Sequence, residues 1–473
     1  MIKRLILLTL ILFFIATFSA YGAIPAEDTV CIVGGLGDQN GKAYNNGGGA
    51  TKAVWNANSP SDFMASNGGP KTNCVLGTYT HATTRISATG IGSGVIVGTI
   101  AYVDGTNITT GWTKVTAVPD ANTIEVAEIT ATGDTNDVFC LVGGALDTLQ
   151  NALDCPLNNA ASYNRYIYTN LAESVATQIE VDTHGGAANS HIIVKGYNAT
   201  LTAKAYVTLT ATADITAILN FVSAVDYTEW EYLDFHGGGK DASKASYCVY
   251  NADAENSSNS HFFSYCKFHD AESDGVSCRG KPWIFTRCEA YLNGRYGFRF
   301  HLSIVKMTAC SAHDNDNTGI YGCSSESVFI GNLSYDNGKD GTGNGFENIS
   351  LSDKSVVCGN TAFNNPGDGF QIDDLADGCV IINNAAVGNG AYGFDLQGKT
   401  IEPIAFFGYN LAAANTSGHY SEGADNTFAN FANGNNVAST QTADELFETI
   451  TDGSEDFTPE TGSDLIDAGL GVQ

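Results

Sequence analysis

An internal repeat limits the folds open to this chain more than any other feature. The segments Phe263-Ser-Tyr-Cys-Lys-Phe-His, Phe285-Thr-Arg-Cys-Glu-Ala-Tyr and Met307-Thr-Ala-Cys-Ser-Ala-His align a column in which Cys266, Cys288 and Cys310 recur every 22 residues. Asn332, Asn360, Asn384 and Asn410 continue it at steps of 22, 28, 24 and 26, the longer steps holding insertions in turns. Beside it runs a column of glycine followed by an apolar residue: Gly275-Val276, Gly297-Phe298, Gly319-Ile320, Gly345-Phe346, Gly369-Phe370 and Gly393-Phe394. A unit of 22 to 28 residues with two short strands cannot bury its apolar face alone, so it must stack on its neighbours.

Such stacking predicts an all-β solenoid, a parallel β-helix. A leucine-rich array needs a regular leucine scaffold and a helical half, and a propeller blade needs a longer period. Composition agrees. With 43% hydrophobic and 15% charged residues the chain is not disordered, and 53 Gly against 9 Pro, with 24 Phe and 21 Tyr, suits short strands and tight turns. Strand alternation points Cys266 and Phe268 inward with Lys267 outward, and Phe298 and Phe300 inward with Arg299 and His301 outward. The cysteines then form an internal ladder, about 4.8 Å per step, that hands over to stacked amides. We read the thiols as free, because stacked side chains do not easily reach the disulfide torsion; a bridge between neighbours is the alternative.

The coil Asn384-Ala-Ala-Val-Gly-Asn-Gly-Ala-Tyr-Gly-Phe394 resembles those of the right-handed parallel β-helix, or pectate-lyase-like, superfamily, in the type secreted by bacteria. The resemblance spans roughly residues 140 to 425. It implies a fold and not one activity, since that superfamily holds lyases, hydrolases, epimerases, tailspikes and non-catalytic surface proteins. It also implies a capping helix at the start, for which Leu146, Leu149 and Leu153 supply one apolar face. Thr29-Val-Cys-Ile-Val-Gly-Gly35 is echoed by Val138-Phe-Cys-Leu-Val-Gly-Gly144, as though opening strands flank an intervening module. The runs Gly94–Val103 and Asn122–Ala127 within it read as a small β-barrel or sandwich, similar to modules of phage tail proteins. The expected plan is a leader over 1–22, opening strands over 23–76, the module over 77–137, the β-helix over 138–425, and a tail over 426–473 lying along the last coils.

Lys3 and Arg4, the apolar run Leu5–Phe18 and small residues through Ala23 read as a secretory signal peptide, so the mature chain is expected outside the cytoplasm or at the cell surface, with no membrane span. The net charge is −29, from 22 basic and 51 acidic residues, and it repels nucleic acid and anionic membranes. A homo-oligomer is compatible with the sequence.

Against that background, Lys267, Arg279, Lys281, Arg287, Arg295, Arg299 and Lys306 fall within 40 residues, with histidines and tyrosines among them. On the strand after the glycine, Ser277, Arg299 and Tyr321 make one outward column, with Arg279, His301 and Cys323 beside it; later coils carry Glu347, Gln371, Asp373, Asp395 and Gln397. Cations and aromatics followed by carboxylates suit an extended, acidic polysaccharide. For a lyase acting by β-elimination, a base removes the proton next to a uronate carboxylate while cations stabilise the enolate. Lys281 or His301 are the candidate bases, Arg299 and Arg279 the charge-stabilising groups, and Tyr321, Gln371, Asp373 and Asp395 further substrate contacts. The competing class is a non-catalytic adhesin or extracellular structural protein with ordinary solvated cations. A glycoside hydrolase would use Asp373 and Asp374, but the Gly-His-Gly of polygalacturonase-like enzymes is missing and Arg279-Gly-Lys281 precedes the pair. Asp314-Asn-Asp-Asn317 is a candidate Ca²⁺ turn. The His-Gly-Gly pairs at His184 and His236 read as corner residues, not metal ligands, because no second His or Cys stands at ligand spacing.

Overall fold

The computed structural model describes residues 29–33, 44–45 and most of 75–465, with internal segments such as 93–99, 155–164, 182–190, 252–259, 323–325, 349–353, 373–378, 397–405, 422–434 and 450–455 outside the description. The leader and residues 46–74 also lie outside it. Chain contacts divide the protein into two compact units, residues 1–30 with 39–145, and residues 31–38 with 146–473.

The first unit contains a closed antiparallel barrel of six strands, in the ring order Val75–Thr80, Arg85–Ser87, Thr123–Val126, Gly111–Asp120, Ile100–Asp104 and Thr135–Val142. Closure leaves no unpaired edge. Tyr79, Ile86, Val103, Val115, Ile124 and Val126 fill its interior. The Asp120 carboxylate accepts from the Asn122 amide at 2.7 Å, holding the turn that joins two of its strands.

The second unit is a parallel solenoid of three long sheets. Sheet I includes His261–Ser264, Trp283–Thr286, Val305–Thr308, Val328–Ile330, Val356–Cys358 and Val380–Ile382. Sheet II includes Leu233–His236, Lys267–His269, Glu289–Tyr291, Ser311–His313 and Leu333–Tyr335. Sheet III includes Ala245–Asn251, Asp274–Arg279, Phe298–His301, Ile320–Tyr321, Phe346–Glu347, Phe370–Gln371 and Tyr392–Asp395. Helix α1, Leu149–Asp154, stands at the start of this unit with Leu149 and Leu153 buried; Leu146 lies outside the described residues. Its Leu149 amide donates to Glu173 at 2.9 Å, and Gln150 accepts from the Glu180 amide at 2.7 Å, so it is fastened to the first coil.

Inward columns follow from register. Phe298, Ile320, Phe346, Phe370 and Phe394 are successive partners in sheet III and are fully buried. Phe346 stacks on Phe370 at 4.6 Å and Phe370 on Phe394 at 4.9 Å. Burial of each such ring contributes about 2 kcal/mol.

Corners are satisfied by side chains. Cys266, Cys288 and Cys310 are buried and free at the turn from sheet I to sheet II. Asn332 then donates its amide to Asn360 at 2.9 Å, Asn360 to Asn384 at 3.0 Å, Asn384 to Asn410 at 2.9 Å and Asn410 to Asn436 at 3.0 Å. The residue before each is left-handed, as at Tyr265, Arg287, Ala309 and Gly331, which turns the chain off the sheet and exposes peptide groups for the ladder to bind. A second ladder, Asn293, Asn315, Asn337, Asn365, Asn389 and Asn415, lines the turn from sheet II to sheet III. It explains the glycine column: a Cβ on Gly369 would lie 2.6 Å from the Gly393 carbonyl and 2.9 Å from Asn389.

The tail pairs Phe447–Thr449 with Asp456–Pro459, and Leu446, Phe447 and Phe457 cover Phe363, Val387 and Leu411 on sheet II.

Candidate functional site

The outer wall of sheet III holds most of the candidate residues. Register makes Ser277, Arg299, Tyr321, Glu347, Gln371 and Asp395 successive neighbours in one row. Arg279 and His301 pair in the adjacent row. Lys281, Asp373 and Cys323 lie outside the described residues.

The basic cluster of the sequence is not one patch. A coil of 22 residues visits all three faces, so Lys306 goes to sheet I, Arg287 to a corner, and Lys267 to sheet II. Arg279 is the register partner of His301 and Arg299 lies two residues before it on the same strand, and with Arg295 both act on its charge. Arg295 and Arg299 both stand over the Tyr296 ring, at 4.4 Å and 5.6 Å, and Tyr296 stacks on Tyr321 at 4.8 Å. Burial first, then the guanidiniums of Arg299, Arg279 and Arg295, lower His301 to about 4, so its imidazole is neutral at ordinary pH.

Two carboxylates of this wall escaped the sequence reading. Asp274 is fully buried and meets Arg299 at 3.4 Å; burial raises its pKa against the pull of Arg299 and Arg295. Asp368 accepts from the Tyr392 amide at 2.9 Å and is raised to about 6 by burial and by Asp395 and Glu347 beside it. Both stand directly before a glycine of the repeated column, and that Asp-Gly position was the available signal. The wall thus runs from a cationic end at Arg279, Arg295 and Arg299 to a carboxylate end at Glu347, Asp368 and Asp395.

Sheet II carries a different column. His269, Tyr291, His313 and Tyr335 stack successively at 4.6, 5.2 and 4.8 Å. His313 lies between Asp314 at 2.8 Å and Glu289 at 3.1 Å. Lys339 reaches Asp314 at 2.8 Å, Lys240 reaches Asp316 at 2.6 Å, and Asn317 accepts from Thr318, so the oxygens of the candidate Ca²⁺ turn have protein partners. His236 ends a strand, and its neighbours come from the next coil and not from nearby sequence. The ligand atoms of His236, His269 and Asp270 all lie within 4.8 Å of one another.

Residues 253–404 match the family described as the right handed beta helix region. The second unit is a parallel β-helix, and the match falls within it. Among solved structures, the β-helix is similar to pectate lyase Pel9A at 16% identity, covering 67% of this chain and 83% of that one, with a TM-score of 0.47. The A-module of the Azotobacter vinelandii mannuronan C-5 epimerase AlgE6 matches at 15% identity over 55% of this chain and 69% of that one, TM-score 0.38. The tailspike Gp54 of Acinetobacter baumannii bacteriophage AP22, solved with a capsular saccharide, matches at 10% identity over 74% and 64%, TM-score 0.22. No curated protein matches this β-helix chain. Among its described residues no helix is long and apolar enough to cross a membrane.

Proposed function

We propose that this β-helix protein acts outside the cytoplasm, binds an acidic polysaccharide along sheet III and cleaves it by β-elimination at His301. One observation carries the reading: His301 is the register partner of Arg279, on a wall where Arg295 and Arg299 stand over Tyr296 and Tyr296 stacks on Tyr321. Arg279 is exposed at the end of its strand and suits a carboxylate clamp, while Tyr321 offers a ring for a sugar. Neutral His301 accepts the proton from the carbon beside the uronate carboxyl. The electrons of that C–H bond form the new C=C bond, and the glycosidic oxygen departs and takes a proton from water. Arg299 and Arg295 stabilise the enolate charge that develops between these events. Lys281 remains the other candidate base.

Incubation with a panel of uronans, followed by absorbance of unsaturated uronate and by glycan retention, tests both parts. The expected result is unsaturated product with one uronan, lost in His301→Ala. Retention without product leaves the binding face and removes the elimination step, as an adhesin would behave. Neither retention nor product overturns the proposal in favour of a structural role.

A further inference from the structure

We propose that His236, His269 and Asp270, on the outer wall of sheet II, bind a first-row divalent cation of the Zn²⁺ type. The three side chains come from two adjacent coils. His236 and His269 are register partners, and the left-handed backbone of Asp270, φ 56°, turns its carboxylate back toward both rings. Its Oδ2 lies 2.7 Å from His269 Nδ1 and 3.4 Å from His236 Nε2. Zn²⁺ takes imidazole and carboxylate ligands at about 2.0–2.2 Å, so donor atoms stand about 3.3 Å apart around it; the two carboxylate distances bracket that value, and all three ligand atoms lie within 4.8 Å of one another.

The backbone fixes that spacing. The Gly237 amide donates to the His269 carbonyl at 2.7 Å and the Gly239 amide to the Asp270 carbonyl at 3.1 Å. A Cβ on Gly237 would lie 2.4 Å from the Asp270 carbonyl, so only glycine lets the corner approach this closely. The outer partner is also in place. Asp234 accepts from His269 Nε2 at 2.8 Å and is itself held by Thr208 at 3.0 Å. A carboxylate on the far nitrogen fixes the tautomer and orientation of the ring and raises the basicity of the ligating nitrogen. In His236, Nε2 is the nitrogen that faces Asp270.

The next His-Asp corner provides an internal comparison. His313 and Asp314 repeat the geometry, with Glu289 in the place of Asp234, and the Lys339 ammonium sits on Asp314 at 2.8 Å. Among the described residues no lysine occupies that place at Asp270, where a second histidine stands instead. With three protein donors and partial exposure of His236 and Asp270, the outermost coordination position is open to water or a ligand oxygen.

The test is calorimetric titration of chelator-stripped, full-length protein with Zn²⁺ alone, with Co²⁺ absorption as a second readout of ligand geometry. One equivalent is expected to bind. His236→Ala and Asp270→Asn should each weaken it at least about tenfold, and Asp234→Asn by about 10- to 100-fold. Asp270→Asn keeps the size and left-handed tolerance of the corner, so its loss of binding is not a loss of fold. His313→Ala should bind as the parent does. Absence of Zn²⁺ uptake at micromolar concentrations, or uptake unchanged in both His236→Ala and Asp270→Asn, overturns the site.

Discussion

His301 and His313 stand 12 residues apart on adjacent faces of the same solenoid, and their imidazoles are driven in opposite directions. Burial disfavours the charged form of both. On sheet III, guanidiniums add to that effect and His301 falls to about 4. On sheet II, hydrogen bonds to Asp314 and Glu289 overcome burial and His313 rises to about 9. The difference shows how each face meets solvent. At His313 sheet II pairs its charges internally, so that histidine is a structural cation. Sheet III has three guanidiniums around His301 and the buried Asp274 against Arg299, and it presents a neutral base among cations.

The sharpest way to break this contrast is to remove the buried anion. Asp274→Ala leaves Arg299 without its carboxylate partner, and loss of one member of a buried pair costs about 3–5 kcal/mol. Thermal unfolding should show a clearly lower midpoint; an unchanged midpoint would mean that Asp274 contributes nothing to holding the wall. A titration comes next. His313 is raised above its ordinary value of 6.5, so its stabilising contribution is complete below that value and is lost as pH rises through about 9. Glu289, lowered from 4.5 to about 2 first by its hydrogen bond to His313, contributes above its ordinary value and loses that contribution as pH falls toward about 2. Stability from this cluster should therefore peak between about 4.5 and 6.5, and Glu289→Gln should flatten both flanks in denaturant unfolding measured across pH. The smallest effect on the fold is expected at exposed Arg279. Arg279→Ala should change stability by less than about 0.5 kcal/mol, while His301 moves up toward its ordinary value in an NMR titration and uronan retention falls. A destabilised variant with unchanged retention would assign Arg279 to the fold and not to the binding face.

The corners show how far sequence patterning reaches. The cysteine and asparagine column and its inward direction were readable, because its steps stay close to one coil and alternation assigns the face. Asn436 extends the column where the apolar pattern fades, and only the hydrogen bond from Asn410 reveals it. The second ladder had a visible signal as well. Asn293, Asn315, Asn365 and Asn389 each precede a glycine of the repeat by four residues. On the outer wall, the row from Arg299 through Tyr321 and Gln371 to Asp395 was legible for the same reason as the core. Asp274 and Asp368 were not, since an Asp-Gly pair reads as a turn until burial is known. The apparent basic cluster was divided among faces because nearness along a coil is not nearness in space.

By itself the sequence determined the coil: its length and its inward columns, because strand alternation and the need to bury apolar side chains act locally on every repeat. Partners were decided only by the tertiary structure. Asp274 finds Arg299 25 residues away, His236 meets His269 33 away, and Lys240 reaches Asp316 76 away. Insertions of varying length set those separations, while electrostatics depends on distances of a few ångströms between neighbouring coils.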